Sequence, residues 1–288
     1  MEVGIGLPNA VPGTSRGQLL DWARRAEEAG FSSLATIDRI VYQNYEPLLA
    51  LSAAAAVTER IRLATSVMLG PLRVNAALVA KQLLTLDALA GGGRAVLGIG
   101  LGGREDDYAV SRVPMSGRGA WQDRALAQIR AVLSGEGDNE AKIGPRPQGS
   151  GPSLIVGGTV PASFRRASRY GDGWIMGGGG PDQFKSALEH VRAAWVDEGR
   201  EGRPRAMALA YFSLGDRADA QARQYLLDYY DFLGPELSAR IAAGAAKDPD
   251  TITAYVSAFT AAGCDELILF PSSGDPRQVE LLAEAITR

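Results

Sequence analysis

The sequence predicts an α/β chain closed into a (β/α)8 TIM barrel, one domain over residues 1–288, with loop insertions after the fourth and seventh strands. Three observations predict it. Short apolar runs alternate eight times with longer segments of helical period, the pattern of βα units on a parallel sheet. The 288 residues exceed the common domain size yet sit where α/β barrels fold as one unit. Eight such strands can also close on themselves, which gives every strand two neighbours and leaves no edge unpaired.

The elements follow in order. A strand over 3–7 leads to a helix over 17–29 that stops at Gly30, and a second strand over 34–37 ends at Asp38. A helix over 47–57, a strand over 61–67, a helix over 75–90 and a strand over 95–99 complete the first half. A long loop and a helix over 120–133 follow, and a Gly/Pro-rich stretch over 135–152 delivers the fifth strand at 154–156. Helices over 161–170 and 182–198 flank a sixth strand at 174–176; a seventh strand covers 206–212. Helices fill 218–244 and 249–262 before the last strand, 266–270, and a closing helix over 276–286. An open doubly wound sheet is the alternative on pattern alone. The 135–152 stretch reads as a loop, because neither flank carries a full set of strands.

Composition narrows the function. A net charge of −3 gives no basic field for nucleic acid or an anionic membrane, so a small-molecule substrate is expected. One cysteine, Cys264, and one histidine, His190, leave too few ligands for a zinc site, and no metal is expected. His190 falls on the outside of its helix, so no Ser-His-Asp or Cys-His arrangement is credible. None of the four lysines lies at a predicted strand end, which disfavours Schiff-base chemistry. The N-terminus lacks a signal-peptide pattern and no run approaches about 18 apolar residues, so a cytoplasmic location is expected.

In a barrel the residues just after each strand converge on one face. Here they are Pro8 and Asn9; Asp38 and Arg39; Thr65, Ser66 and Val67; Gly98, Gly100, Gly102 and Gly103; Gly157, Gly158 and Thr159; and Met176 with Gly177, Gly178, Gly179 and Gly180. Glycine at a strand end lets backbone amides approach a ligand, and where a helix starts next they can face a phosphate. Tight βα turns are the plainer reading of any single pair. Gly98 to Gly103 also matches the GxGxxG fingerprint, but three carboxylates, Glu105, Asp106 and Asp107, follow where a pyrophosphate would sit. Those carboxylates read as a solvated charge run in one loop, with magnesium binding as the alternative. Tyr225, Tyr229, Tyr230 and Phe232 read as core or lid packing. A mouth so poor in proton-transferring groups suits an organic cofactor that carries the chemistry itself.

The stretch TERIRLATSVMLGPLRVNAALVAKQLLTLDALAGGGRAVLGIGLGG, residues 58–103, resembles the luciferase-like superfamily of flavin- and F420-dependent oxidoreductases. EEAGFSSLATIDR, GREDDY, LIVGGTVPASFRRASRYGDGWI and AAGCDELILFP resemble it in the same order, over nearly the whole chain. The resemblance implies a single barrel with the cofactor ring at the strand C-termini, backed by a bulge with a non-prolyl cis bond, here Ser66-Val67. It places the phosphate at Gly157, Gly158 and Gly177 to Gly180, with Pro8, Thr65, Gly100, Glu105, Thr159 and Met176 as further cofactor contacts.

The resemblance also implies one of two activities: a monooxygenase using reduced FMN and oxygen, supplied by a separate flavin reductase, or an F420-dependent reductase or dehydrogenase. Several F420-dependent dehydrogenases carry Asp-His after strand two, with the histidine as base. This chain has Asp38-Arg39, and only glycines where such enzymes tend to have Thr and Lys after strand six, which favours FMN. Asp38 and Arg39 are the candidate catalytic pair: Arg39 can stabilise anionic charge on a reduced flavin, while Asp38 contacts the ring, orients Arg39 or caps the following loop. A flavin-binding barrel without turnover is the reading from another class. Exposed helix faces make a homodimer the expected assembly.

Overall fold

The computed structural model describes residues 1–287. Eight strands, β1 (Glu2–Gly6), β2 (Ser33–Thr36), β3 (Arg62–Leu69), β4 (Ala95–Gly100), β5 (Ser153–Gly157), β6 (Gly173–Met176), β7 (Arg205–Phe212) and β8 (Glu266–Pro271), pair in parallel in sequence order. The register of β8 on β1, Ile268 opposite Gly4, closes the barrel. The first six helices are α1 (Arg16–Glu28), α2 (Pro47–Ala55), α3 (Ala76–Leu89), α4 (Glu105–Val110), α5 (Arg118–Ser134) and α6 (Pro161–Tyr170). The remainder are α7 (Pro181–Asp197), α8 (Ala218–Tyr229), α9 (Pro235–Ala243), α10 (Pro249–Ala261) and α11 (Arg277–Ile286). This is the (β/α)8 barrel that the strand count predicts, and it leaves no place for a doubly wound sheet.

Strand residues alternate between two cores, as a period of two requires. Leu34, Leu63, Leu154, Trp174 and Leu267 face outward onto helix residues such as Trp22, Leu51 and Leu83. Ala35, Ala64, Ile155, Ile175, Met207 and Ile268 share the second core, inside the barrel. Small residues make room there for large ones. A Cβ on Gly6 would lie 2.3 Å from the Phe270 ring, so glycine lets Phe270 cross the lumen.

The N-terminal end of the barrel is closed by charge. The buried Glu266 carboxylate accepts from Ser32 Oγ at 2.6 Å and pairs with Arg205 at 2.7 Å and Arg62 at 3.4 Å. Glu2 pairs with Arg62 at 2.6 Å and also with Arg205. Burial pushes the Glu266 carboxyl up, but hydrogen bonds from Ser32 and Arg205 and the charge of Arg62 outweigh it, and the net position lies below the ordinary 4.5. A carboxyl depressed in the folded state gives stability that is complete above 4.5 and is lost as pH falls through the lower folded value. Glu266→Gln is therefore expected to lower the melting temperature at neutral pH and to flatten its fall below pH 4.5. Parallel acid limbs in the two proteins would refute this.

Two elements differ from the sequence reading. The loop after β4 contains α4, whose first turn holds Glu105, Asp106 and Asp107, where carboxylates are favoured by the helix dipole. The solvated charge run is thus corrected for Asp107, which is fully buried and accepts from the Ile40 and Val41 amides at 3.0 and 2.6 Å. Strand β3 also runs on to Leu69, past a register shift between Thr65 and Met68. His190 is exposed on α7 and stacks on Phe164 at 6.0 Å. No helix among the described residues is long and apolar enough to cross a membrane, and no cluster of three or more His, Cys, Asp or Glu side chains is arranged for a metal.

Candidate active site

The strand ends are tied together by buried polar side chains. Asn9, after β1 and beside the buried Pro8, donates through Nδ2 to Ile37 O at 2.9 Å and accepts from Ile37 N at 3.2 Å, which fixes the ends of β1 and β2. Asp38 Oδ2 accepts from Leu69 N and from Arg73 Nη2, both at 2.9 Å, and so joins β2 to the end of β3. Its partner is Arg73, not Arg39. Arg39 turns instead toward α4, where Nη2 donates to Asp106 at 2.6 Å, and its guanidinium lies 5.0 Å from the Tyr42 ring centre.

The bulge in β3 forms one wall of the mouth. Thr65 Oγ1 donates to Gly98 O at 2.7 Å, and the Ser66-Val67 bond is cis. A Cβ on Gly98 would stand 2.0 Å from Thr65 O, so only glycine allows β4 to pass this close. The Val67 methyls occupy the space that side chains at Gly100 and Gly157 would need, with distances of 2.9 and 3.0 Å to an added Cβ. Ser66 Oγ is buried without a partner.

Beside this wall, β5 and β6 end in glycine. Gly157 stands in register with Ile175, so the loop of Gly157, Gly158 and Thr159 lies next to that of Met176 and Gly177 to Gly180. The first loop leads into α6 and the second into α7, each helix opening with proline, which gives up no amide the helix would use. Gly177 to Gly180 are exposed, and a Cβ on Gly177, Gly178 or Gly180 would touch nothing within 4 Å. Thr159, Phe164, Met176, Gly178, Gly179 and His190 border a groove of about 1010 Å³ that runs from these loops between α6 and α7. Glu105 is exposed on the first turn of α4.

Side chains that the sequence reading did not place in the site also gather here. Tyr211, near the end of β7, faces the lumen with Met207 and Leu209, and its hydroxyl lies 2.7 Å from that of Tyr230. Burial pushes both phenols up. Arg104, after β4, is buried against Tyr229, Tyr230 and Phe232. Tyr211 lies inside β7, one residue before its end, so a rule that reads the residues just after each strand passes it by; nothing local signals Arg104.

Residues 1–286 match the family described as luciferase-like monooxygenase. The chain belongs to this family. Over 209 residues the luciferase-like chain is 32% identical to an uncharacterized protein of Mycobacterium tuberculosis, which spans 62% of the chain and 71% of that relative. Over 229 residues it is 32% identical to an F420-dependent glucose-6-phosphate dehydrogenase of Kineococcus radiotolerans, spanning 72% of the chain and 66% of the relative. The monooxygenase RslO1 from Streptomyces bottropensis superposes with a TM-score of 0.77 at 23% identity, over 100% of this chain and 99% of that one, a likeness of fold.

The luciferase-like mouth has features that fit a flavin phosphate. The exposed loop of Gly177 to Gly180 leaves open space before α7, the half-buried Gly157 and Gly158 stand before α6, and backbone amides at two such helix N-termini suit an anion. The orphaned Ser66 hydroxyl supplies a donor next to the apolar Val67 wall. These same features would also accept a deazaflavin phosphate.

Proposed function

We propose that this luciferase-like chain oxidises a small organic substrate with reduced FMN and oxygen. One observation carries the choice: Asp38, Asp106 and Asp107, the carboxylates beside Arg39 and the β2 end, are already engaged. Asp38 is paired with Arg73 at 2.9 Å, Asp106 with Arg39 at 2.6 Å, and Asp107 holds the Ile40 and Val41 amides. The Tyr211 and Tyr230 phenols are kept protonated by burial. The mouth thus offers cations and hydrogen-bond donors, which favour developing negative charge, while the β2 end carries Asp38-Arg39 in place of a histidine base and the Asp38 carboxylate is held by Arg73.

Bound reduced FMN would supply the electrons and the position at which oxygen reacts. Gly157, Gly158, Thr159 and Gly177 to Gly180 would hold its phosphate, Thr65, Ser66 and Val67 would bound its ring, and Pro8, Gly100 and Met176 would shape the surrounding walls. Arg39 would place positive charge at the mouth, and Asp38 would position the β3 end through Arg73 and Leu69 N. Reduced flavin would come from a separate reductase in the cytoplasm. A homodimer through the exposed Leu49 of α2 and Leu78 of α3 completes the proposal, and its check is the mass in solution.

Arg39→Ala is expected to lower turnover about a hundredfold; because Arg39 also lies 3.8 Å from the buried Asp107 carboxylate, the melting temperature is measured alongside to separate lost charge at the mouth from lost stability. Unchanged kinetics would remove Arg39 from the site. Oxygen consumption driven by reduced FMN tests the reaction, and rapid F420 turnover without it would reverse the choice. That second reading has its own support in the F420-dependent relative at 32% identity.

A further inference from the structure

We propose that Arg104 anchors an anionic oxygen of the substrate, so that the molecule oxidised is a small organic anion, a carboxylate or a phenolate. This rests on reading the barrel mouth as the substrate site. Three arginines among the described residues are buried: Arg94, Arg104 and Arg166. Arg94 donates to the Ile61, Thr58 and Ala90 carbonyls and to the Thr58 hydroxyl, and Arg166 pairs with Asp123 at 2.7 Å. Arg104 is the exception. It is 8% exposed, its Nη1 is buried without a partner, and none of the ion pairs among the described residues includes it.

What surrounds Arg104 is aromatic. Its Cζ lies 3.9 Å from the ring centre of Phe232, 4.5 Å from Tyr229 and 5.7 Å from Tyr230. Ring faces attract a cation, and the Tyr229 hydroxyl is a hydrogen-bond neighbour of the guanidinium, but neutral oxygen and ring faces leave Nη1 of the planar donor fork without an acceptor. Asp106 is committed to Arg39, Asp107 to two backbone amides and Asp228 to the Tyr42 hydroxyl at 2.5 Å, and the exposed Glu105 and Asp231 make no ion pair with Arg104. A second guanidinium, that of Arg39, also lies 5.9 Å from the Tyr229 ring. A buried, permanently charged group with unfilled donors calls for an anionic acceptor, and the chain does not supply one.

The position suits a substrate. Tyr230, one wall of the cage, is hydrogen-bonded to Tyr211 at the lumen end of β7, so the cage is continuous with the barrel mouth. Phe232, stacked on Tyr230 and 3.9 Å from the Arg104 guanidinium carbon, is 44% exposed, so the cage reaches the surface on that side. An acidic oxygen at Arg104 would fix one end of a molecule whose remainder reaches toward the mouth, and the aromatic walls suit a planar, unsaturated body.

Calorimetric titration of the full chain with benzoate, 4-nitrophenolate and the neutral benzamide tests the assignment. At least one anion is expected to bind about tenfold or more tightly than benzamide, and the tighter anion tells carboxylate from phenolate. Arg104→Met is expected to erase that preference while leaving benzamide and FMN affinity within about twofold, and Arg104→Lys to restore part of it. Equal affinities in the wild-type protein, no measurable binding of either anion, or a preference that survives Arg104→Met overturns the proposal. The wild-type comparison decides even if the methionine variant does not fold. FMN affinity is read separately, so its absence would overturn the cofactor reading without touching the anion preference.

Discussion

Gly177→Asp is expected to weaken FMN binding about a hundredfold and to leave riboflavin binding and thermal stability unchanged. Gly177 has an ordinary backbone conformation, unlike Gly178 and Gly179, whose φ values are +141° and +105°. A side chain at Gly177 would meet open space, so the substitution strains neither backbone nor packing. Its carboxylate would stand at the loop proposed to hold the phosphate. Two like charges about 5 Å apart at an effective dielectric near 20 repel by about 3 kcal/mol, about two powers of ten in affinity. Riboflavin lacks the phosphate and serves as the internal control. Equal loss of both ligands would mean the loop contacts the ring; loss of neither would move the phosphate elsewhere.

Asp38→Ala is expected to destabilise the fold by about 3 kcal/mol, and Asp38→Asn by less. The carboxylate is 1% exposed and holds both Leu69 N and Arg73 at 2.9 Å. Alanine leaves the amide without its acceptor and removes one of two carboxylates from Arg73, whose other partner is Glu46 at 3.1 Å. Asparagine keeps an acceptor for Leu69 N while losing the charge. Because Leu69 ends the strand that carries Ser66 and Val67, flavin affinity should fall along with stability. Denaturant unfolding of the three proteins gives the ranking; equal stability for wild type and alanine would show that Asp38 does not hold the β3 end.

The barrel was legible because a parallel strand buried on both faces reads as a continuous apolar run, as in the segment holding Leu267 to Phe270. The glycine loops were legible for a related reason: few pressures other than close approach or positive φ put four glycines in a row at 177–180. Helix α4 was not, since it spans only Glu105–Val110, is polar, and begins at an arginine without a capping side chain. The fate of Asp38 was hidden as well, because its partner Arg73 lies beyond the following strand and the sequence offers Arg39 next door. The cage of Arg104 depends on rings at 229–232, brought over β4 by the segment after β7, and no spacing along the chain encodes that meeting. Short-range rules found what short-range physics sets, and the charges at the mouth are set by tertiary contacts.

The central claim, that the mouth of this luciferase-like barrel is built for FMN, is tested most directly by titrating the purified chain with FMN and, separately, with F420 while following cofactor fluorescence. The account predicts saturable quenching of FMN, with F420 bound at least about tenfold more weakly. F420 binding as tight as FMN or tighter would contradict it.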